Sequence, residues 1–200
     1  MNSGSFLFDF VVFLFKFLNM LRICLDVRNI KPVMTGLGRY ALNLVKGIAE
    51  LDSDNEYILL KNPSYEGAII DRPNFREELL AGDISSMRSV LLHGAVINRL
   101  KPDVYHTLMH CLPFGLHCPK VVLTLHDLIW VDYPRLAFTN RLKAFYNRHL
   151  KGRLIKYAVN RADMVIAISQ ATRERAIAVF RVPPSKCHLI YQGIEERFLN

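Results

Sequence analysis

Cysteine is scarce in this chain of 200 residues. The four that occur are Cys24, Cys111, Cys118 and Cys187. They are too few for a disulfide framework, and two of them lie in apolar runs that we interpret as buried strands. A disulfide-stabilised secreted scaffold is therefore not expected, and the composition favours the reducing environment of the cytoplasm.

The chain also lacks a clean transmembrane run. The segment 1–19 contains "FLFDFVVFLFKFL", with six of the twelve phenylalanines of the chain. It is shorter than the about 20 apolar residues that a membrane span needs, and Asp9 and Lys16 interrupt it. It has no basic start and no small-residue cleavage site, which argues against a secretory signal. Two interpretations stay open: an interfacial membrane segment, or a leader that precedes a start at Met20.

Acidic residues are missing between Asp132 and Asp163, although the chain has 18 of them against 26 Lys and Arg. Eight basic residues lie in this interval, which we refer to as the basic segment 135–161. A surface of this kind attracts phosphate, nucleic acid or an anionic membrane. A solvated helix face is the alternative interpretation.

Apolar runs typical of strands alternate with amphipathic stretches typical of helices from residue 20 to residue 193. Continuous apolar strands separated by helices predict an α/β domain with a parallel, Rossmann-like sheet and helices on both faces. Ligands of such sheets collect at the carboxyl ends of the strands. The predicted strands are 21–27, 56–61, 103–107, 120–127, 163–169 and 187–193, and the predicted helices are about 38–51, 87–100, 138–160 and 170–180.

A glycine pattern stands at the start of the first predicted helix. Gly36, Gly38 and Ala41 match the dinucleotide-binding spacing, and Glu56 follows 20 residues after Gly36. The sequence "RNIKPVMT" separates the glycines from the first strand, and Glu56 begins the second strand instead of ending it, so a nicotinamide-dependent oxidoreductase is disfavoured. Two interpretations remain: a helix start that binds phosphate through its N–H groups, or glycines that only shape a loop.

Histidine and cysteine are concentrated in "HTLMHCLPFGLHC", residues 106–118. The spacing of His106 and His110 suits zinc, but Cys111 and Cys118 form no knuckle and no second ligand pair appears, so no metal site is expected.

His126 and Asp127 end the strongest predicted strand, where site residues of parallel sheets lie. A histidine there can hydrogen-bond a sugar hydroxyl or a phosphoryl oxygen, and the carboxylate can orient it or bind hydroxyls. The alternative is a histidine satisfied by loop carbonyls. Ser169 follows the strand at 163–169 and is predicted to cap the next helix by accepting from Thr172 or the residue before it.

Several motifs in order resemble a known family: "TGLGRYALNLV", "PDVYH", "VVLTLHDLIW", "ADMVIAISQATRERAI" and "VPPSKCHLIYQGIEERF". Together they are similar to the N-terminal half of the retaining GT-B glycosyltransferases of the family 4 type, over about residues 21–200. The resemblance implies two Rossmann-like domains facing a cleft, with the acceptor on the N-terminal one and the nucleotide sugar on the other. It implies no metal ion and no nucleic-acid partner.

The resemblance also implies roles for individual residues. Gly36 and Gly38 would face the diphosphate of the donor across the cleft, and His126 would contact the transferred sugar. Asp127 and His106 would line the acceptor side, and Ser169 and Thr172 would lie near the sugar or the cleft floor. The acceptor would be a glycan or a lipid-linked saccharide, and the basic segment 135–161 would contact an anionic membrane at the inner face of the cell.

The sequence departs from the family pattern at its end, because "QGIEERF" leads into the second domain and residues 194–200 would only begin that crossover. No two of the eight glutamates have the E-x7-E spacing of the donor-binding domain. We therefore expect this chain to be an acceptor-side domain that is not active alone and that works with a separate donor-binding domain. The alternative is a sugar- or phosphate-binding module without catalysis.

Overall fold

A computed structural model describes residues 20–133 and 141–193 of the chain. The described residues form one sheet of parallel strands with helices on both faces, which confirms the predicted Rossmann-like α/β class. The segments 1–19 and 194–200 lie outside the described residues, as does the predicted start of the basic helix at 138. The strands are β1 Arg22–Asp26, β2 Glu56–Lys61, β3 Phe75–Leu79, β4 Val104–Thr107, β5 Lys120–Leu125, β6 Met164–Ala167 and β7 Cys187–Leu189, and the helices are α1 Gly36–Leu51, α2 Met87–Arg99, α3 Ile129–Asp132, α4 Arg141–Arg161 and α5 Gln170–Phe180.

The strand order is β3-β2-β1-β4-β5-β6-β7, and every neighbouring pair is parallel. The chain moves outward from β1 to β3 and then returns to β4 on the other side of β1. This reversal creates a topological switch point between β1 and β4, where crevices form at the carboxyl ends of the strands. We refer to that side of the sheet as the carboxyl edge.

Side chains of successive strand residues point to opposite faces of the sheet, and each face has its own core. Ile23 and Leu25 pack with α1, whereas Cys24 packs with residues of α2, α4 and α5. Helix α1 therefore covers one face of the sheet, and α2, α4 and α5 cover the opposite face. Right-handed crossovers require this arrangement.

Three helices begin at a residue whose side chain caps the first turn. Thr35 accepts from the N–H of Gly38 at 3.2 Å, and Ser86 accepts from the N–H of Ser89 at 3.1 Å. Ser169 accepts from the N–H of Thr172 at 3.1 Å, which confirms its predicted capping role. These bonds satisfy backbone donors that have no partner within the helix.

Three elements differ from the sequence prediction. Strand β3 was not predicted, because its sequence "FREEL" is polar. A polar sequence suits a partly exposed edge strand. An ion pair between Lys61 and Glu77, with 2.8 Å between nitrogen and oxygen, connects β3 to β2. Helix α3 occupies part of a predicted loop, and β7 ends at Leu189 instead of continuing to Gly193. The four cysteines are all buried and free.

Candidate functional site

His126 lies directly after β5 at the carboxyl edge, and two neighbours fix its ring. Its Nε2 is 3.2 Å from the carbonyl oxygen of Leu108, so this nitrogen donates. The ring of Tyr40 meets it edge to face with 4.8 Å between ring centroids. Burial lowers the pKa of His126, while the bond to Leu108 and the charge of Asp127 act in the opposite direction. The imidazole is therefore neutral near pH 7.

A chain of side chains behind His126 connects three elements. The phenol of Tyr40, on α1, interacts with the side chain of Thr124 of β5. The hydroxyl of Thr124 lies 2.9 Å from Nε2 of His106 in β4. His106 is buried, and this burial, followed by the effect of His126, lowers its pKa to about 4. His106 is therefore neutral, and it lies beneath the surface of the site. The sequence could not show this, because an alternating strand pattern does not separate a buried histidine from one at the site surface.

Asp127 is exposed next to His126, and its carboxylate accepts from the backbone N–H of Ile129 at 3.0 Å. It therefore shapes the turn into α3, while the Leu108 carbonyl fixes the tautomer of His126. A cleft of about 640 Å³ opens beside Asp127 between α3 and α5. Its lining residues are Asp127, Leu128, Ile129, Asp132, Tyr133, Ala171, Thr172 and Arg175. Arg175 and Asp132 are ion-paired with each other, with Nε to Oδ2 at 3.0 Å, whereas the exposed carboxylate of Asp127 and the phenol of Tyr133 are suited to binding hydroxyl-rich ligands.

Ser169 and Thr172 connect α5 to the end of β5. The hydroxyl of Ser169 donates to that of Thr172 at 2.9 Å, and Thr172 donates to the carbonyl oxygen of His126 at 3.1 Å. Both hydroxyls are thus engaged within the protein, and their effect is to hold the backbone of His126 against the first turn of α5.

Gly36 and Gly38 lie in the first turn of α1 and have different surroundings. A Cβ on Gly38 would be 2.6 Å from the carbonyl oxygen of Asn29 and 2.9 Å from the sulfur of Met34, so packing requires glycine there. A Cβ on Gly36 would have no atom within 4 Å. Gly36 therefore leaves open space at a helix start, where N–H groups and the positive end of the dipole favour an anion.

A buried charge network below the switch point was not found from the sequence. Arg28 donates from Nε and Nη2 to the two carboxylate oxygens of Asp26 at 2.8 and 2.7 Å, and Tyr105 donates to the same carboxylate at 2.9 Å. The other terminal nitrogen of Arg28 contacts Ser89 at 3.2 Å and His93 at 2.8 Å. The sequence feature that could have indicated this network is the pair of opposite charges, Asp26 and Arg28, two positions apart at the end of an apolar strand.

The concentrated histidines and cysteines do not converge on a shared centre in the described ranges 20–133 and 141–193. No three His, Cys, Asp or Glu side chains lie close enough there to hold a metal ion. His110 is buried, its Nε2 has no hydrogen-bond partner, and burial, followed by the charge of Lys151, lowers its pKa to about 4.

Comparison with known proteins shows which folds this domain is similar to. The fold is similar to that of HepE from Anabaena, crystallised with UDP and glucose (TM-score 0.54, 17% identity, 90% of this chain and 46% of that one). It is also similar to a glycosyltransferase from Rickettsia africae ESF-5 (TM-score 0.51, 14% identity, 92% and 46%). The chain thus spans less than half the length of these proteins. No curated protein matches its sequence.

The chain therefore forms a Rossmann-like domain of the kind found in GT-B glycosyltransferases. The family model of Glycosyltransferase Family 4 matches residues 34–198, and the chain belongs to this family. In the part of the chain that the structure describes, no helix is both long and apolar enough to cross a membrane.

Proposed function

We propose that this chain is the acceptor-side domain of a retaining glycosyltransferase. The complete enzyme moves a sugar from a nucleotide-sugar donor to a glycan or lipid-linked saccharide, without a metal ion. Family membership supports the reaction class, and the presence of UDP and glucose in the Anabaena crystal supports the donor class. The observation that carries the proposal is the neutral, oriented imidazole of His126 at the carboxyl edge, where a ligand of a parallel sheet binds.

In the proposed reaction His126 contacts the transferred sugar, and the start of α1 at Gly36 faces the diphosphate. The open space above Gly36 lets a phosphate oxygen approach the helix N–H groups, while Gly38 shapes the loop that presents them. The transition state has oxocarbenium character, and donors and dipoles aimed at the leaving phosphate stabilise the charge that develops there.

The acceptor then lies on the side of Asp127, in the cleft between α3 and α5. The carboxylate of Asp127 accepts hydrogen bonds from acceptor hydroxyls. His106 supports this side from below through Thr124, and Ser169 and Thr172 hold the cleft floor in place. These assignments give Asp127 a direct contact and the other three residues positioning roles.

The donor is held by a second domain, either further along the same polypeptide or in a separate chain. The relatives of known structure are about twice as long as this chain, which supports a two-domain cleft. These 200 residues alone then transfer sugar poorly or not at all.

We also propose that the domain attaches to an anionic membrane at the inner face of the cell. Helix α2 exposes Leu91 (55%) and Leu92 (58%), an unusual pair for a solvated helix. Helices α2 and α4 contribute Val90 and Leu154 to one small buried cluster, and α4 exposes the basic residues Arg153 and Lys156. An apolar stripe beside basic residues is typical of interfacial membrane contact.

A comparison of two proteins tests the transfer proposal: the 200-residue chain, and the same chain extended by the coding sequence that follows Asn200. From a panel of UDP- and GDP-sugars, we expect turnover with the extended protein and none with the 200-residue chain. Proton NMR of the product should show that the anomeric configuration is retained. The His126→Ala variant of the extended protein is expected to lose about 100-fold or more in kcat. Binding of sugar without any transfer would indicate the binding module instead.

A further inference from the structure

Gln192 follows β7 and meets His126 at the end of β5, although 66 residues separate the two in the chain. The carboxamide nitrogen of Gln192 lies 3.4 Å from Nδ1 of His126. Gln192 is exposed, whereas His126 is half-buried. The contact therefore covers the one ring nitrogen of His126 that is directed away from Leu108.

The protonation of the imidazole follows from its neighbours. The carbonyl of Leu108 can only accept, so Nε2 carries the hydrogen and Nδ1 carries the lone pair in the neutral ring. The carboxamide NH2 of Gln192 is the donor that satisfies this lone pair. The titratable groups that face the ring are Asp127, Tyr40, and the neutral His106 and His110.

We propose that Gln192 is a positioning residue that donates to the unprotonated Nδ1 of His126 and so occupies the position of a ligand hydroxyl. This rests on the proposed function, in which His126 contacts the transferred sugar. A sugar hydroxyl can donate to Nδ1 and replace the carboxamide. The esterified diphosphate of a nucleotide sugar is ionised near pH 7, has only acceptor oxygens and cannot donate to this nitrogen. His126 thus selects a hydroxyl, and the diphosphate must bind elsewhere.

Nitrogen-15 NMR of histidine-labelled 200-residue chain tests the positioning role. We expect a protonated Nε2 and a bare Nδ1 for His126 at pH 7. Gln192→Glu places a carboxylate against Nδ1 and should raise the pKa of His126 by about one unit or more. The matched control is Gln170→Glu, which makes the same charge change on α5. The carboxamide of Gln170 donates to Glu174 at 2.7 Å and not to His126. A protonated Nδ1 in the unmodified chain, or equal shifts in both variants, would overturn the proposal.

Titration of the same chain with methyl α-glucopyranoside and with dimethyl phosphate, a phosphodiester without a hydroxyl group, tests the ligand class. The glycoside should move the Nδ1 resonance of His126 and the carboxamide resonances of Gln192 together, and dimethyl phosphate should move neither. A shift of Nδ1 caused by dimethyl phosphate, or no shift with either probe, would contradict hydroxyl selection. Neither measurement needs a transfer reaction, so failure here is distinct from failure of the extended protein to transfer sugar.

Discussion

Asp26, the last residue of β1, and Arg28 form a two-bond ion pair with both side chains completely buried. The pair lies at the switch point of the sheet. It binds β4 through Tyr105 and α2 through Ser89 and His93, so it fixes the elements from which the carboxyl edge is built. Its partners satisfy most of the polar atoms that burial removes from water.

Substitution of one partner of this pair should be far more harmful than substitution of both. Arg28→Met leaves the Asp26 carboxylate buried without its cation, and we expect a loss of about 3–5 kcal/mol in the free energy of unfolding. Urea denaturation followed by circular dichroism measures this loss. The double variant Asp26→Leu, Arg28→Met should recover a large part of it, and a double variant as unstable as the single one would contradict this account.

The strands and helices that pack the core were predictable because their apolar periodicity is local. The position of His126, Asp127 and Ser169 at the carboxyl edge was also predictable, because each of them lies at or just after the end of a predicted strand. The contact of Gln192 with His126 and that of Tyr105 with Asp26 were not predictable, since they join residues 66 and 79 positions apart whose proximity depends on strand order. Strand β3 was missed because an edge strand needs no apolar run.

Gly36 and Gly38 should respond oppositely to the same substitution. Gly38→Ala forces a methyl group against the carbonyl oxygen of Asn29, and we expect a loss of about 1–3 kcal/mol in the free energy of unfolding. Gly36→Ala fills open space in a helix and should be neutral or stabilising by up to about 1 kcal/mol. Thermal or urea unfolding of the two variants measures the difference. Equal destabilisation would show that both glycines are required by packing.

Two buried histidines should make the domain less stable as the pH falls. Burial lowers the pKa of His106 and His110 from the ordinary value of 6.5 to about 4. Between these pH values the unfolded chain binds protons that the folded chain does not, so the free energy of unfolding decreases by up to about 1.4 kcal/mol per pH unit for each histidine. Urea midpoints measured at pH 7, 6 and 5 test this.

The variant His110→Leu serves as the control for the pH series. It removes a titrating group and the buried Nε2 that has no hydrogen-bond partner, so the pH dependence should become shallower and the stability at pH 5 should increase. An unchanged slope would mean that His110 is solvated or protonated in the folded chain.

The surface formed by α2 and α4 should bind anionic membranes in a salt-dependent manner. We expect the chain to sediment with phosphatidylglycerol vesicles at low salt, to be released by about 0.5 M NaCl, and not to sediment with phosphatidylcholine vesicles. Arg153→Gln with Lys156→Gln should weaken binding about tenfold or more, and Leu91→Ser with Leu92→Ser should weaken it at every salt concentration. Lys46→Gln, exposed on α1 at the opposite face, is the charge control and should have little effect. If the chain fails to sediment with anionic vesicles at low salt, the apolar stripe on α2 has another partner.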